Sequence, residues 1–362
     1  MSDVFAAADQ KRVTLLALLD LSAAFDCVDH DILLMRLQRI VGLSGQVLSW
    51  IRSFLTERSQ RVAYAGSLSS LIVLLWGVPQ GSVLGPLLFL LYTAELFDII
   101  VSHGASAHFY ADDGQLYVNS LAADTNDAIN CLQACVAAVE QWMKSNRLRL
   151  NPQKTQLIWL GSQQQLDKVT TTDIQLLNAS IHPLSAVRDL GVTIDCRLTM
   201  ADHVTAVCRT GYFWMRQLRS IVQSLTSEAA DSLVHVFISC RLDYCNALLY
   251  LLYGIADGQL QRLQSVQNAA ARLVTGTRRT DHITPVLQSL HWLPVRQRVT
   301  FKLATLVHKC LNGRAPGYLA DDFRLDGRGR PGSRSAAIMM LDIPRTTASL
   351  GDRAFAIAGP HV

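Results

Sequence analysis

No stretch of this 362-residue sequence stays apolar for the roughly 20 residues that a membrane span needs. The longest apolar runs, near 68–76 and 87–94, are short and bounded by Gly, Pro or charge. A secretory leader is not expected from the first residues either. Lys11 and Arg12 precede an apolar run that stops at Asp20 without a small-residue cleavage pattern. The eight cysteines contain no C-x-x-C pair, and neither Cys131/Cys135 nor Cys240/Cys245 has a His-x-His partner nearby. Free buried thiols are therefore expected, rather than zinc or a disulfide framework. There is no P-loop, since the one Gly/Pro-rich bend lacks the spacing and the Lys-Ser/Thr end. These absences exclude a membrane protein and a small disulfide-bonded secreted domain. At this length the chain has room for a large core and for two domains.

What is present is a pair of acids in an unlikely place. Residues 107–118 read Ala-His-Phe-Tyr-Ala-Asp-Asp-Gly-Gln-Leu-Tyr-Val, with Asp112 and Asp113 inside an otherwise strand-like run. Ionised carboxylates in a dry setting are costly, and two neighbours repel each other. A cation with oxygen ligands, such as Mg²⁺, relieves both penalties. Gly114 and the flanking β-formers predict a hairpin tip. Side chains alternate along a strand, so one aspartate is expected to face a metal and the other to support it. Taken alone, an Asp-Asp pair is weak evidence and reads more readily as a solvated turn.

Two further segments bear on that choice. Val13-Thr-Leu-Leu-Ala-Leu-Leu19 has strand length and delivers Asp20 at its end, where a helix cap before Leu21 is the alternative. A strand and a hairpin that each present a carboxylate can assemble a two-metal site, with cations roughly 3.5–4 Å apart for in-line phosphoryl transfer. Between them, Gly77-Val-Pro-Gln-Gly-Ser-Val-Leu-Gly-Pro86 predicts a bend into a helix that Gly81 or Ser82 opens. By itself it reads as an ordinary loop-to-helix junction.

The ordered set Leu19-Asp-Leu-Ser-Ala-Ala-Phe-Asp26, Gly77-Val-Pro-Gln-Gly-Ser82, Phe109-Tyr-Ala-Asp-Asp113 and Leu150-Asn-Pro-Gln-Lys-Thr155 resembles a reverse transcriptase, in particular the LINE-type (non-LTR) retrotransposon enzymes. The likeness continues through Val187-Arg-Asp-Leu-Gly-Val-Thr193, Arg241-Leu-Asp-Tyr-Cys-Asn246, Leu263-Gln-Ser-Val-Gln-Asn-Ala-Ala-Ala-Arg-Leu273 and Leu290-His-Trp-Leu-Pro-Val-Arg296. The resemblance implies an RNA-directed DNA polymerase with an RNA template, a DNA primer and dNTPs as partners, and two Mg²⁺ ions that Mn²⁺ can replace. It makes Asp20 and Asp112 the principal metal carboxylates and Asp113 the flanking one. It gives Phe25 the exclusion of a 2′-hydroxyl, and Gln80 and Gly81 the positioning of template base and nucleotide. It sets Lys154 near the leaving pyrophosphate, where an ammonium neutralises charge or donates a proton. Gly114 departs from the pattern, which usually has a polar β-former there. The resemblance also implies a fingers region and an endonuclease domain, for which the 19 residues before Asp20 leave no room. The chain is thus expected to be a central piece truncated at both ends, with a catalytically silent nucleic-acid-binding remnant as the alternative. No obligate protein partner is evident. Nuclear or cytoplasmic residence is expected, though no basic import cluster stands out.

The net charge of +4 is unevenly spread: residues 1–160 carry 11 Lys/Arg against 14 Asp/Glu, and residues 161–362 carry 22 against 15. The basic half suits a nucleic-acid duplex. Arg209, Arg216 and Arg219 share a helix face, and Arg262, Arg272, Arg278 and Arg279 border another helix. Phosphate contact and a solvated face both fit each single Arg. Periodicity predicts a strand at 13–20, helices at 31–41 and 44–57, a strand or hairpin at 60–75, and the hairpin at 106–118. A helix over 125–146, with Ile129, Leu132, Val136, Val139 and Met143 on one face, and short strands at 155–160 and 190–195 follow. Helices are expected at 202–222, 227–240, 259–274 and 296–311. The fold class is α+β: a palm of small antiparallel sheet backed by helices, then a mainly helical thumb and carboxyl-terminal region. The domains expected are 1–196 (palm with partial fingers), 197–320 (helical), and a Gly/Arg/Ser/Pro-rich, poorly ordered tail at 321–362. Leu248-Leu-Tyr-Leu-Leu-Tyr253 reads as a local duplication.

Overall fold

A computed structural model describes residues 1–170, 173–246, 254–323, 341 and 343–362. Leu248–Tyr253, with its tandem repeat, lies outside the described residues. The chain forms two compact bodies, one of residues 14–159 and 166–185, the other of 1–13, 160–165 and 186–362.

The first body is built on β1 (Arg12–Leu19), whose residues are buried almost end to end. That is why the segment reads as an unbroken apolar run: a central strand covered on both faces has no polar side. After it come α1's successors in chain order. Helix α1 itself (Ser2–Asp9) precedes the strand, and α2 (His30–Arg39) and α3 (Gly45–Leu55) follow it. Asp29 caps α2 by accepting from the Asp31 and Ile32 amides, at 3.0 and 3.1 Å. The expected hairpin at 60–75 is a ribbon, with β2 (Arg58–Gln60) antiparallel to β5 (Ile72–Leu74) and β3 (Ala63–Tyr64) to β4 (Ser67–Leu68). Next come α4 (Gly85–Thr93), α5 (Leu96–Ser102), β6 (Ser106–Tyr110) and β7 (Asp113–Leu121). Helix α6 (Thr125–Ser145) buries Ala128, Leu132, Cys135, Val136, Val139 and Met143, a stripe of helical period. Strand β8 (Gln156–Leu160) completes a four-stranded sheet in the order β6-β7-β1-β8. Among the described residues no single helix is long and apolar enough to cross a membrane; α4 and α5 reach the length only together, with a 41° bend between them.

Arg36 organises the helices of this body. It sits on α2 with a side chain only 4 % exposed. Its guanidinium donates to Tyr92 O, to Glu95 Oε2 at 2.7 Å and to Asn146 Oδ1 at 2.7 Å. The same group lies over the rings of Tyr92 and Trp142, at 4.9 and 4.8 Å. Four segments are thus tied by one planar fork, which a lysine could not reproduce.

The second body carries α7 (Gln163–Leu166) and the antiparallel pair β11 (Ala186–Asp189) and β12 (Val192–Asp195); the pair β9 (Ile174–Leu176) and β10 (Ala179–Ile181) belongs to the first. Its helices are α8 (Ala201–Arg219), α9 (Ser227–Val234), α10 (Cys240–Asp243), α11 (Asp257–Thr275), α12 (Ile283–Ser289), α13 (Val295–Leu311), α14 (Gly317–Ala320) and α15 (Phe355–Ala358). A π-helical turn at His235–Ser239 splits the helix expected at 227–240. At Gly211 a Cβ would lie 2.7 Å from Val266, so α8 and α11 meet where a glycine lets them.

Three expectations need correction here. Residues 343–362 of the tail are folded, whereas 324–340 and 342 lie outside the described residues. Phe355 and Ala358 are buried in a cluster with Leu303, Val307 and Cys310. Asp9 Oδ1 accepts from the Thr347 and Ala348 amides, each at 2.7 Å, and Arg353 donates to Leu198 O at 2.6 Å. Residues 1–13 and 186–196, expected with the palm, group with residues 197–362 in the second body. Finally, the cysteines are all free, but of the eight only Cys135, Cys208 and Cys310 are buried.

Removing one partner of a buried, fully hydrogen-bonded charge typically costs about 3–5 kcal/mol. Arg36 Nε has no partner among the described residues and Glu95 is 40 % exposed. Arg36→Met, which keeps the bulk but takes the donor from Asn146 Oδ1, is therefore expected to cost less than that, about 2 kcal/mol of unfolding free energy in urea titrations. An unchanged midpoint would show that Arg36 does not hold these helices.

Candidate active site

Asp20 follows β1 directly, and its backbone is locked from one side. Its carbonyl accepts from Asn151 N at 2.9 Å, Leu21 bridges Leu150 antiparallel, and Ser22 N donates to Arg149 O at 2.9 Å. Asn151 then folds the next four residues around itself. Its carbonyl accepts from Thr155 N at 3.1 Å and Thr155 Oγ1 at 2.9 Å, and its Oδ1 accepts from Gln153 N at 3.1 Å. This Asx-type turn starts at Pro152, whose fixed φ suits it. The turn carries Lys154 back, so that its Nζ stands 3.4 Å from Asp20 Oδ2. Asn151 is a positioning residue the sequence reading passed over; the Asn-Pro dipeptide beside Lys154 was its signal.

The second carboxylate source is the β6–β7 hairpin. Tyr110 pairs with Asp113, which leaves Ala111 and Asp112 as a two-residue turn. Ala111 takes φ +54, a conformation that costs a non-glycine residue on the order of 1–3 kcal/mol. Gly114 is not in the turn, contrary to expectation. It pairs with Phe109 in the ladder, and a Cβ there would lie 2.8 Å from the Phe109 ring. Gly114 is thus required by packing, which accounts for its departure from the polar β-former. Thr14 Oγ1 donates to Asn119 Oδ1 at 2.7 Å, tying β1 to β7 below the tip.

The electrostatics show that the three acids feel one another. Burial of its carboxylate, then the charges of Asp112 and of Asp20, push the Asp113 carboxyl up from the ordinary range. The residue as a whole is exposed, so solvent screens part of this repulsion. Asp20 Oδ2 is enclosed yet accepts no hydrogen bond; Lys154, itself 66 % exposed, is its charged neighbour. An enclosed oxygen without a donor, facing like charges, suits a cation. The donor set is all oxygen, which matches Mg²⁺. Among the described residues, no three His, Cys, Asp or Glu side chains stand close enough to hold one ion as they are placed.

Phe25 opens a 3-10 turn (Phe25–Cys27) and is half-buried, its ring 5.3 Å from that of Phe89. The Gly77–Ser82 loop docks on this turn. Val78 N donates to Phe25 O and Gly77 N to Val28 O, both at 2.8 Å, while His30 Nε2 bonds Gly77 O at 2.8 Å. Gly77 has φ +90, and a Cβ there would lie 3.1 Å from backbone atoms of Phe25 and Asp26, so only glycine fits. Gln80 and Gly81 are exposed at the loop tip. Gln80 lines a cavity of about 760 Å³ with Asp26 and Arg58. The expected helix opening differs: α4 starts at Gly85, with Pro86 in its first turn. Ser82 Oγ instead closes the loop, donating to Pro79 O at 2.7 Å and accepting from Gly85 N at 3.0 Å. The structure therefore pairs Lys154 with Asp20, lets Asp113 feel the charges of Asp112 and Asp20, keeps Phe25 beside the loop, and lines one cavity with Gln80, Asp26 and Arg58.

Residues 2–194, more than half of the chain, match the family described as reverse transcriptase (RNA-dependent DNA polymerase). The chain belongs to that family. Its relatives place it among LINE-type retrotransposon enzymes. They include the probable RNA-directed DNA polymerase from transposon BS of Drosophila melanogaster, 31 % identical over 283 residues, covering 75 % of this chain and 30 % of the relative. The RNA-directed DNA polymerase from mobile element jockey of the same fly is 26 % identical over 285 residues, covering 75 % and 29 %. The chain thus spans about 30 % of the length of these curated relatives. Among solved structures, apo telomerase from Candida tropicalis aligns with a TM-score of 0.38 and 13 % identity over 54 % of this chain and 38 % of that one.

A carboxyl raised above its unfolded value disfavours folding once it is ionised, so stability falls as pH climbs through the ordinary carboxylate range toward the raised value. Asp113→Asn is accordingly expected to raise the melting temperature at pH 7, and to lose that gain below about pH 3.8, where both forms are neutral. Melting curves across pH 3–8 read this directly. A gain that persists at the acid end would exclude charge repulsion as its cause.

Proposed function

We propose that the chain is an RNA-directed DNA polymerase that extends a DNA primer on an RNA template from dNTPs, using the carboxylates of Asp20, Asp112 and Asp113. The observation carrying this reading is the enclosed, donor-free Oδ2 of Asp20 among acids that raise the Asp113 carboxyl. Asp20 and Asp112 are the principal holders of divalent metal, and Asp113 the flanking one. Bound there, two Mg²⁺ ions supply charge for the attacking 3′-hydroxyl and the leaving pyrophosphate oxygen.

The remaining work falls to the chain's own side chains. Lys154, swung toward Asp20 by the Asn151 turn, neutralises or protonates the departing pyrophosphate. Phe25, braced on Phe89, walls the sugar side and rejects a 2′-hydroxyl. Gln80 and Gly81 steady the template base and the incoming nucleotide, from a loop whose base is fixed on Phe25.

Primer extension on an RNA template should need Mg²⁺ or Mn²⁺ and vanish in Asp112→Asn and Asp20→Asn. Lys154→Ala should slow it about a hundredfold, the scale set by losing one charge-stabilising donor. Phe25→Val should admit ribonucleotides. Salt-dependent RNA or DNA binding without extension, unchanged by Asp112→Asn, would identify the chain as a silent nucleic-acid-binding remnant instead.

A further inference from the structure

The second body holds a groove of about 1060 Å³ between the carboxyl-terminal halves of α8 and α11. Its chemistry is one-sided. Arg219, Arg272 and Arg279 line it, and no carboxylate does. Arg272 is spent on structure: its guanidinium donates to Arg278 O and Asp281 O, both at 3.3 Å, which holds the segment after α11 against the helix and places Arg279 at the rim. The one nearby acid, Asp281, accepts from the Arg278 amide at 3.1 Å. Arg219 and Arg279 have no ion-pair or hydrogen-bond partner among the described residues. Two free guanidinium groups without a balancing anion repel each other and attract phosphate.

The rest of the lining suits more than a bare anion. Tyr212 is 43 % exposed along the groove, an accessible aromatic face one helical turn and more before Arg219. Gln223 and Asn268 bring amide donors and acceptors, and Thr275 and Thr277 bring hydroxyls. A cationic track with an aromatic platform and side-chain amides is the pattern that holds single strands. A groove between two packed helices admits one strand with its bases turned in, whereas a duplex would present phosphates alone. Of the arginine stripe read from the sequence, Arg219 lines the groove and Arg209 and Arg216 do not.

We propose that this groove binds single-stranded RNA, with Arg219 and Arg279 on backbone phosphates and Tyr212 stacked on a base. The site is separate in sequence and in body from the carboxylates, so its function does not depend on polymerisation.

The test is anisotropy of a labelled single-stranded RNA of about ten nucleotides, within the site sizes such grooves take. It uses the full chain carrying Asp112→Asn, without dNTPs, so that failure of the polymerase reading leaves the result intact. Arg219→Ala/Arg279→Ala should reduce the slope of log affinity against log salt by about 1.4, from roughly 0.7 per phosphate contacted. Tyr212→Ala should weaken binding about tenfold, and Tyr212→Phe should restore it. Lys309→Ala/Arg314→Ala removes equal charge from α13 and the loop after it, and should leave the slope near its starting value. Arg219→Lys/Arg279→Lys, with melting curves for all variants, separates lost contact from lost fold. The proposal is overturned if the Lys309/Arg314 pair matches the groove pair, if Tyr212→Ala binds normally, or if a duplex of the same sequence binds equally well.

Discussion

Burial of the Asp113 carboxylate, to which the charges of Asp112 and Asp20 add, is the constraint that the surrounding elements of the first body must hold in place. Asp20 leaves a central strand and Asp113 starts the second strand of a hairpin, both fixed by backbone pairing, while Asp112 lies in the two-residue turn between the paired ends. The raised Asp113 carboxyl is the sign that this arrangement opposes folding. A protein selected for stability alone would place amides here, so the acids answer to another requirement. The left-handed Ala111 in the turn beside Asp112 adds a second local penalty at the same spot.

Such penalties persist only where the surroundings over-determine the geometry, and Arg36 shows how that is achieved. Its fork joins α2 to Tyr92, Glu95 and Asn146, while Tyr92 Oη donates to Asn146 O at 2.7 Å. Helices bound by a planar, hydrogen-bonded ion present a firm back to the sheet that carries the acids. On the front, the Gly77 loop is pinned to the Phe25 turn by paired backbone bonds that exclude any Cβ. The acids therefore sit on rigid elements, and the exposed side chains of Gln80 and Lys154 are the parts free to adapt.

Much of this was legible in the chain because the signals are local. An unbroken apolar run marked β1, and the 3.6-residue stripe marked α6. Where the reading failed, the determinant lay elsewhere in the chain. Gly114 resembles a turn residue, yet the Phe109 ring across the ladder dictates it, and pairing moves the turn to Ala111–Asp112. Ser82 has the look of a helix cap, but Pro79 O and Gly85 N engage it to close a loop. The tail is rich in Gly, Arg, Ser and Pro, and nothing local reveals that Thr347 meets Asp9, 338 positions away, or that Arg353 reaches Leu198 across 155.

The division of charge follows from the same logic as the opening constraint. A carboxylate set meant for metal must not be satisfied by arginine, because a bidentate guanidinium would occupy its oxygens permanently. Arg36 engages one oxygen of Glu95 in this way, Oε2, which also accepts from Trp142 Nε1 at 3.3 Å. Near Asp20 the chain instead offers Lys154, an exposed point charge 3.4 Å from Oδ2. Arginines without acid partners gather in the other body, where Arg219 and Arg279 face an acid-free groove. The imbalance between 11 basic and 14 acidic residues before position 161, and 22 and 15 after it, is therefore a chemical separation. On the two readings proposed above, the acids of the first body would take cations and the arginines of the groove would take phosphate, and neither set is closed off by a guanidinium–carboxylate pair.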